Sequence, residues 1–429
     1  MAQVEASVAP GKHAAALAAL AQPEAGLTPA MLVERARAMR PLLREQQEAS
    51  DQRGYYSDEI HQAIARNGFY RILQPKLFGG YEMDFVTFAK VIMEISQGHP
   101  SSGWCYTLAA SHALLVGSHW SEEAQRELFG PTGDFRSPHR AAPAGTFRRV
   151  DGGFTVSGVW SYSSGVPVST HFIGGGLIPG PDGKPRMVNF VVPREKFTIL
   201  QDWGGGAALG MEGSGSHSVK LTDVFVPDRH FTSWNVLLTL DDFSEGTPGT
   251  RLHGNPMYLG VVGGAYHTTF GAMLTGTARA ALEEYEDIIR TKKVLGNPNM
   301  LRMNDPEHQR AFGKAMALTD TAEAATLAAA QMYMDQCNRW AEDGTPVMPA
   351  DTLKLWSLAQ QASLLACDAV ELLFHTGGAT AANRGQKLQR YFRDVQMYRV
   401  HPSSQPVVGT LRGQAQLGLP VAFGSPPGD

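Results

Sequence analysis

The sequence predicts a mainly α-helical chain with a central β domain, and three observations carry that expectation. Residues 29–130 place apolar side chains at three-to-four spacing, the period of a helix. Residues 131–235 alternate apolar and polar positions between Gly- and Pro-rich turns, the period of a strand. Beyond residue 236 come three long Ala- and Leu-rich stretches with few breakers. Helices of that kind cannot bury an apolar face alone, so they are expected to pack as a bundle.

Taken in order, residues 1–28 read as a flexible, Ala-rich leader ending at Gly26 and the cap-like Thr28 before Pro29. The N-terminal helical domain is expected over 29–130. Within it, 31–49 is a charged amphipathic stretch interrupted at Pro41, where a helical N–H is missing. Residues 58–67 and 85–97 are two further helices, and 101–118, apolar and small throughout, is a buried one. The middle β domain is expected over 131–235. There 147–162 alternates around the turn Asp151-Gly152-Gly153, 171–178 and 187–192 flank a polar turn, and 216–225 alternates before Pro227. The C-terminal bundle is expected over 236–429, from helices at 261–295, 308–341 and 351–377.

The chain has 429 residues, 43% hydrophobic and 18% charged, enough to pack two or three domains. A net charge of -4 points to no nucleic-acid and no anionic-membrane partner. The apolar stretch 108–116 falls short of a bilayer span, and Glu5, Lys12 and His13 stand where a signal peptide needs an apolar core. Cys105, Cys337 and Cys367 lack metal or disulfide spacing and fit a reducing cytoplasm. The glycine runs do not spell Gly-x-Gly-x-x-Gly within a βαβ unit, so no nicotinamide site is readable.

Four motifs then fall in a fixed order. They are the loop Gly210-Met211-Glu212-Gly213-Ser214-Gly215-Ser216, the exit strand Val224-Phe225-Val226-Pro227, the helix start Gly276-Thr277-Ala278-Arg279-Ala280-Ala281-Leu282, and Tyr391-Phe392-Arg393-Asp394. Together they resemble the acyl-CoA dehydrogenase superfamily, from about residue 30 to about residue 415. That resemblance implies a β-sandwich or barrel between a helical domain and a four-helix bundle. Further segments are similar to its two-component, reduced-flavin aromatic monooxygenases: Phe69 to Pro75 with Gly79-Gly80-Tyr81-Glu82, Ser102-Gly103-Trp104 with His112, Trp160-Ser161-Tyr162-Ser163-Ser164-Gly165, and His401.

An acyl-CoA dehydrogenase removes an α-proton with a carboxylate. Laying the family pattern on Arg393-Asp394 puts Pro402 at the base position, and the alternative site falls on Tyr266. Neither residue is a carboxylate, and proline has no proton chemistry. The resemblance places His401 over the substrate instead, as the base that takes a phenol or indole proton from a pKa near cellular pH. Without it, His401 is an ordinary loop histidine. The resemblance also implies that the Ser163-Ser164 turn meets flavin N5, with Ser163 slightly preferred and Ser164 close behind, and with Trp160 beside them. The plain alternative is a turn of small polar residues. Arg251 is read as facing a flavin phosphate or a substrate anion, or equally as a surface arginine. Ser137 and His139 are expected at the pocket edge, and His112, His139, His267 and His401 as substrate contacts. A lone histidine such as His112 in an apolar helix is more often a satisfied core residue.

The cofactor implied is reduced FMN or FAD, with O2 as co-substrate. An NAD(P)H:flavin reductase would supply it by diffusion, and a small phenol or indole would be hydroxylated through a flavin hydroperoxide. The resemblance further implies a homotetramer. An acyl-CoA dehydrogenase with a relocated base, an N- or S-oxygenase of the same branch, and a catalytically dead scaffold are the competing readings.

Overall fold

The computed structural model describes residues 24–180, 183–237 and 245–421. The leader expected over 1–28 therefore lies mostly outside the described residues. Thr28 does cap the first helix, accepting a hydrogen bond from the Met31 backbone N–H at 3.3 Å, with Pro29 at the first helical position. The expected interruption near Pro41 is present, dividing the stretch into α1 (Pro29–Ala38), α2 (Arg40–Glu45) and α3 (Gln47–Arg53). Next come α4 (Asp58–Arg66) and the buried α5 (Phe85–Gly98), each capped at its N-terminus by a serine or aspartate side chain.

The buried helix expected over 101–118 is two helices, α6 (Pro100–Ala110) and α7 (His112–His119), with the break at Ser111. α8 (Glu122–Phe129) closes this part.

Eight strands then build two four-stranded sheets. One has the order β1 (His139–Pro143), β4 (His171–Pro179), β5 (Pro185–Pro193), β8 (Phe231–Ser233). The other runs β2 (Thr146–Val150), β3 (Gly153–Trp160), β7 (Val219–Pro227), β6 (Thr198–Ile199). β2 and β3 form the expected hairpin, with Val150 opposite Gly153. The sheets face each other across a core of their own, built from Phe154, Val156, Phe172, Phe190, Val219 and Val226 among others. β1 pairs with β4 alone, in parallel, so it is an edge strand.

The short α9 (Pro248–His253) leads into the bundle: α10 (Val262–Thr291), α11 (Pro306–Asp343), α12 (Pro349–Thr376) and α13 (Lys387–Arg399). α14 (Val407–Gln416) packs on α12. The helix expected to run to 295 stops at Thr291. Lys293–Val294 (β9) and Asn297–Leu301 (β10) pair as a hairpin whose turn holds Gly296 at φ +83, in the left-handed region. Ala dominates the buried faces of α11 and allows close helix approach.

A buried ionic knot ties the three parts together. On α13, Arg390 donates from Nε to Asp51 Oδ2 at 2.9 Å, from Nη1 to Gln47 Oε1 at 2.9 Å and from Nη2 to Glu48 Oε2 at 2.5 Å. Asp51 also accepts the Gly213 N–H at 3.1 Å and lies 3.3 Å from His99 Nε2. One helical turn from Arg390, the Asp394 carboxylate accepts the Met211 N–H at 2.6 Å. The Gly210–Ser216 loop is thereby held between the N-terminal helices and α13. Arg390→Ala leaves the buried Asp51 carboxylate with only His99 and the Gly213 N–H as partners; chemical denaturation is expected to register a loss of about 3 kcal/mol.

Candidate active site

The site is assembled at the meeting of α6, α7, β1, α10 and the turn after α13. Trp104 (α6) stacks on Phe270 (α10) with ring centroids 5.0 Å apart, and His401 meets both, at 5.5 Å from Trp104 and 5.1 Å from Phe270. His267 stacks on Trp356 of α12 at 4.2 Å and lies 6.0 Å from Phe270. At the other end His112 presents its edge to Tyr266 at 5.1 Å and to His139 at 5.4 Å. Thus the four expected substrate-contacting histidines, from four elements far apart in sequence, fall in two ring groups: His267 and His401 around Phe270, and His112 and His139 with Tyr266.

Two of these rings have their tautomers fixed by backbone groups. His112 follows the break at Ser111, and its Nδ1 lies 2.9 Å from Leu108 O and 2.8 Å from Ser137 O. Carbonyl oxygens only accept, so Nδ1 carries the proton and Nε2 is a bare acceptor. His401 is the opposite. It lies two residues beyond α13 and caps the short 3-10 turn Pro402–Ser404, its Nδ1 accepting the Ser403 N–H at 3.1 Å. A backbone N–H only donates, so Nδ1 is bare and Nε2 carries the proton. Gln360 of α12 donates to Ser403 O and Gln405 O, both at 2.8 Å, and holds that turn in place.

Burial keeps all four rings neutral. It lowers His112 to about 4, against the pull of its two carbonyl partners. It lowers His401 to about 4, with help from the nearby Arg140 guanidinium. His139 falls to about 3 through burial and the adjacent His112, and His267 to about 3 through burial and His401. His401 therefore does not sit near cellular pH as the sequence suggested. Protonating it would also set a second N–H against that of Ser403. Among the described residues, no hydrogen bond or ring contact of these histidines involves a carboxylate.

The expected flavin contacts divide. Ser163 is wholly buried, its Oγ donating to Trp160 O at 3.0 Å, while Ser164 is half-buried and shares a 2.7 Å hydrogen bond with Ser216. Their turn is locked to the Gly-rich loop through Ser163 N to His217 O and Gly165 N to Ser214 O, each 3.1 Å. Trp160 is corrected: its indole fills the β-domain core against Phe172 and Phe190, with Nε1 donating to Gly175 O at 2.9 Å, so no face is left for a ligand. Arg251 is exposed, in keeping with the surface alternative. It staples its own loop, donating to Gly246 O at 2.9 Å. Ser137 is buried, and its backbone carbonyl, not its hydroxyl, serves the site by orienting His112.

With this geometry in hand, comparison with known proteins is informative. Residues 30–132 match the family model for the acyl-CoA dehydrogenase N-terminal domain, and residues 268–406 that for the acyl-CoA dehydrogenase C-terminal domain. The chain belongs to the acyl-CoA dehydrogenase superfamily. A curated relative, the flavin-dependent monooxygenase oxygenase subunit HsaA of Rhodococcus jostii, is 29% identical over 398 residues, covering 91% of this chain and 99% of its own. The FADH(2)-dependent resorcinol hydroxylase oxygenase component of Rhizobium sp. is 26% identical over 379 residues, 83% of this chain and 87% of its own. The crystal structure of 3-HSA hydroxylase from Rhodococcus sp. RHA1 superposes with a TM-score of 0.81 at 28% identity, covering 92% of this chain and 98% of the other. Within the superfamily its place is the flavin-dependent monooxygenase branch.

The residues present suit a flavin. β1 has a sheet partner on one side only, and the half-buried Ser164 shares its hydroxyl hydrogen bond with the buried Ser216 on the turn braced by the Gly-rich loop. A flat heterocycle edged with N–H and C=O groups satisfies such an edge. No helix of the described residues is long and apolar enough to cross a membrane.

The depressed histidines make a pH prediction. Above about 6.5 both folded and unfolded chains carry them neutral. Below that the unfolded chain takes up protons that the folded chain refuses until about 4. Stability should therefore fall as pH drops from about 6.5 to about 4. Melting temperature followed across that range is expected to decline steeply, and to flatten above about 7.

Proposed function

We propose that this chain is the oxygenase component of a two-component system that hydroxylates a small aromatic compound such as a phenol or an indole. A separate NAD(P)H:flavin reductase supplies reduced FMN or FAD, in line with a chain in which no nicotinamide motif is readable. Bound reduced flavin, together with O2, supplies the oxygen atom that is transferred. The three cysteines are buried free thiols, which suits a cytoplasmic enzyme, and a homotetramer is the assembly proposed from the fold.

The observation that carries this reading is the pair of opposed tautomers at His112 and His401, neither of which bonds to a carboxylate among the described residues. Trp104 and Phe270, stacked on each other, give the surroundings of His401 an aromatic, apolar character. His112 Nε2 accepts the hydrogen of a substrate O–H or N–H, which raises electron density in the ring as oxygen transfer proceeds. The imidazolium that forms is stabilised by the two carbonyls on Nδ1. His401 Nε2–H donates to an oxygen atom. This exchanges the roles expected from sequence: His112 takes the proton and His401 supplies one hydrogen bond. The burial that keeps both rings neutral also keeps bulk water away from the transferred oxygen.

Mixing the anaerobic protein with reduced FMN, then oxygen and a phenol, should yield hydroxylated product in proportion to flavin oxidised. Bleaching of bound oxidised flavin by an acyl-CoA, with no aromatic product, would overturn the reading. The two histidines are separable. Gln preserves an N–H where His401 Nε2 sits but cannot take up a proton in place of His112. His112→Gln is expected to lower kcat/KM for a phenol by about 10²- to 10⁴-fold, and His401→Gln by less than about tenfold.

A further inference from the structure

We propose that Asn189 is a positioning residue that acts through His139. It fixes a second hydrogen-bond acceptor beside His112, so that this part of the site selects an aromatic ring with two donor groups, as in a diphenol. This deepens the aromatic-oxygenase reading and rests on it. Asn189 lies on β5 and is wholly buried, whereas His139 opens the edge strand β1. Between the two strands runs β4, and its Gly175 stands directly opposite Asn189. A Cβ at Gly175 would come within 2.2 Å of Ala141 O, so a glycine there is what lets β1 lie so near. His139 reaches across, its Nε2 3.0 Å from Asn189 Oδ1.

The hydrogen-bond chain leaves one assignment of protons. Asn189 Nδ2 donates to Ser233 O on β8 at 3.4 Å. The opposite orientation of the amide would set Oδ1 against that carbonyl, two acceptors face to face, so Oδ1 is turned to His139. An amide oxygen only accepts, and His139 Nε2 therefore carries the proton. Burial first and the adjacent His112 second keep the ring neutral, which leaves Nδ1 bare. Among the described residues that Nδ1 has no hydrogen-bond partner.

His112 meets His139 ring to ring at 5.4 Å and 82°, and its own bare nitrogen is Nε2. Two neutral imidazoles in contact thus each keep an acceptor, while each N–H is already engaged with the protein. A ligand must bring the hydrogens. A ring with one O–H satisfies one of these nitrogens, and a ring with two satisfies both. Selection is then by donor count, which separates a diphenol from its monomethyl ether although both carry two oxygens. Reduced flavin also bears N–H groups and is the alternative source of the second donor.

The test pairs catechol and resorcinol each with its monomethyl ether, titrated anaerobically by calorimetry into protein saturated with reduced FMN. The wild type is expected to bind the diphenol of at least one pair about three- to tenfold tighter than the ether. Asn189→Leu and His139→Phe should each lower that preference below about twofold while leaving ether affinity in place, and the double variant should lower it no further. Nitrogen NMR of wild-type protein isotope-labelled at histidine, with the His139 signals identified by their loss in His139→Phe, should show Nε2 protonated and Nδ1 bare. That measurement needs no folded Asn189 variant. Absence of a diphenol preference in the wild type, a protonated Nδ1 on His139, a preference that survives Asn189→Leu, or equal weakening of both ligands in that variant overturns the proposal. Weaker binding of reduced FMN by His139→Phe, with the diphenol preference intact, assigns the acceptor to the flavin and also overturns it. None of these measurements involves turnover, so hydroxylation of phenol by the wild type tests the underlying reading separately.

Discussion

The structure depends on one buried ionic knot, in which Arg390 gathers Asp51, Gln47 and Glu48 while Asp394 holds the Met211 backbone. Burial pushes Asp51 up, but His99 and Arg390 outweigh it and hold that carboxyl below its ordinary value. Asp394 is raised to about 7, by burial first and by the Asp51 carboxylate second. Two interacting carboxyls cannot both ionise freely, and Arg390 and Arg393 act on both. The knot contains no active-site group, yet it fixes where the active-site groups stand. It seats α13, whose last turn delivers His401, and it seats the Gly-rich loop against which the Ser163–Gly165 turn is braced.

Two histidines of the same residue type acquire opposite chemistry from single backbone atoms. Carbonyls make His112 an acceptor at its outward nitrogen; an amide makes His401 a donor at its own. Pro402 opens the 3-10 turn that presents the Ser403 N–H to His401, and so shapes the donor.

Much of the fold was legible because period and punctuation are local. The cap at Thr28, the hairpin around Asp151-Gly152 and the three long bundle helices all follow from neighbouring residues. The break at Ser111 was not legible, since the segment is uniformly small and apolar; nor was the hairpin after Thr291, whose β9 is two residues long. The site was legible as a set of residue types but not as a set of roles. Nothing in the sequence around His112 announces a carbonyl from Ser137, 25 positions away. Trp160 looked like a flavin contact because it begins the right segment, but strand alternation turns its ring into the sandwich core.

The proposed chemistry depends on where two protons reside, and neutron diffraction from a deuterium-exchanged crystal locates them directly. The prediction is deuterium on Nδ1 of His112 and on Nε2 of His401, with the other nitrogen of each ring bare. Deuterium on Nδ1 of His401, or on Nε2 of His112, would contradict the assignment of acceptor and donor on which the proposed chemistry rests.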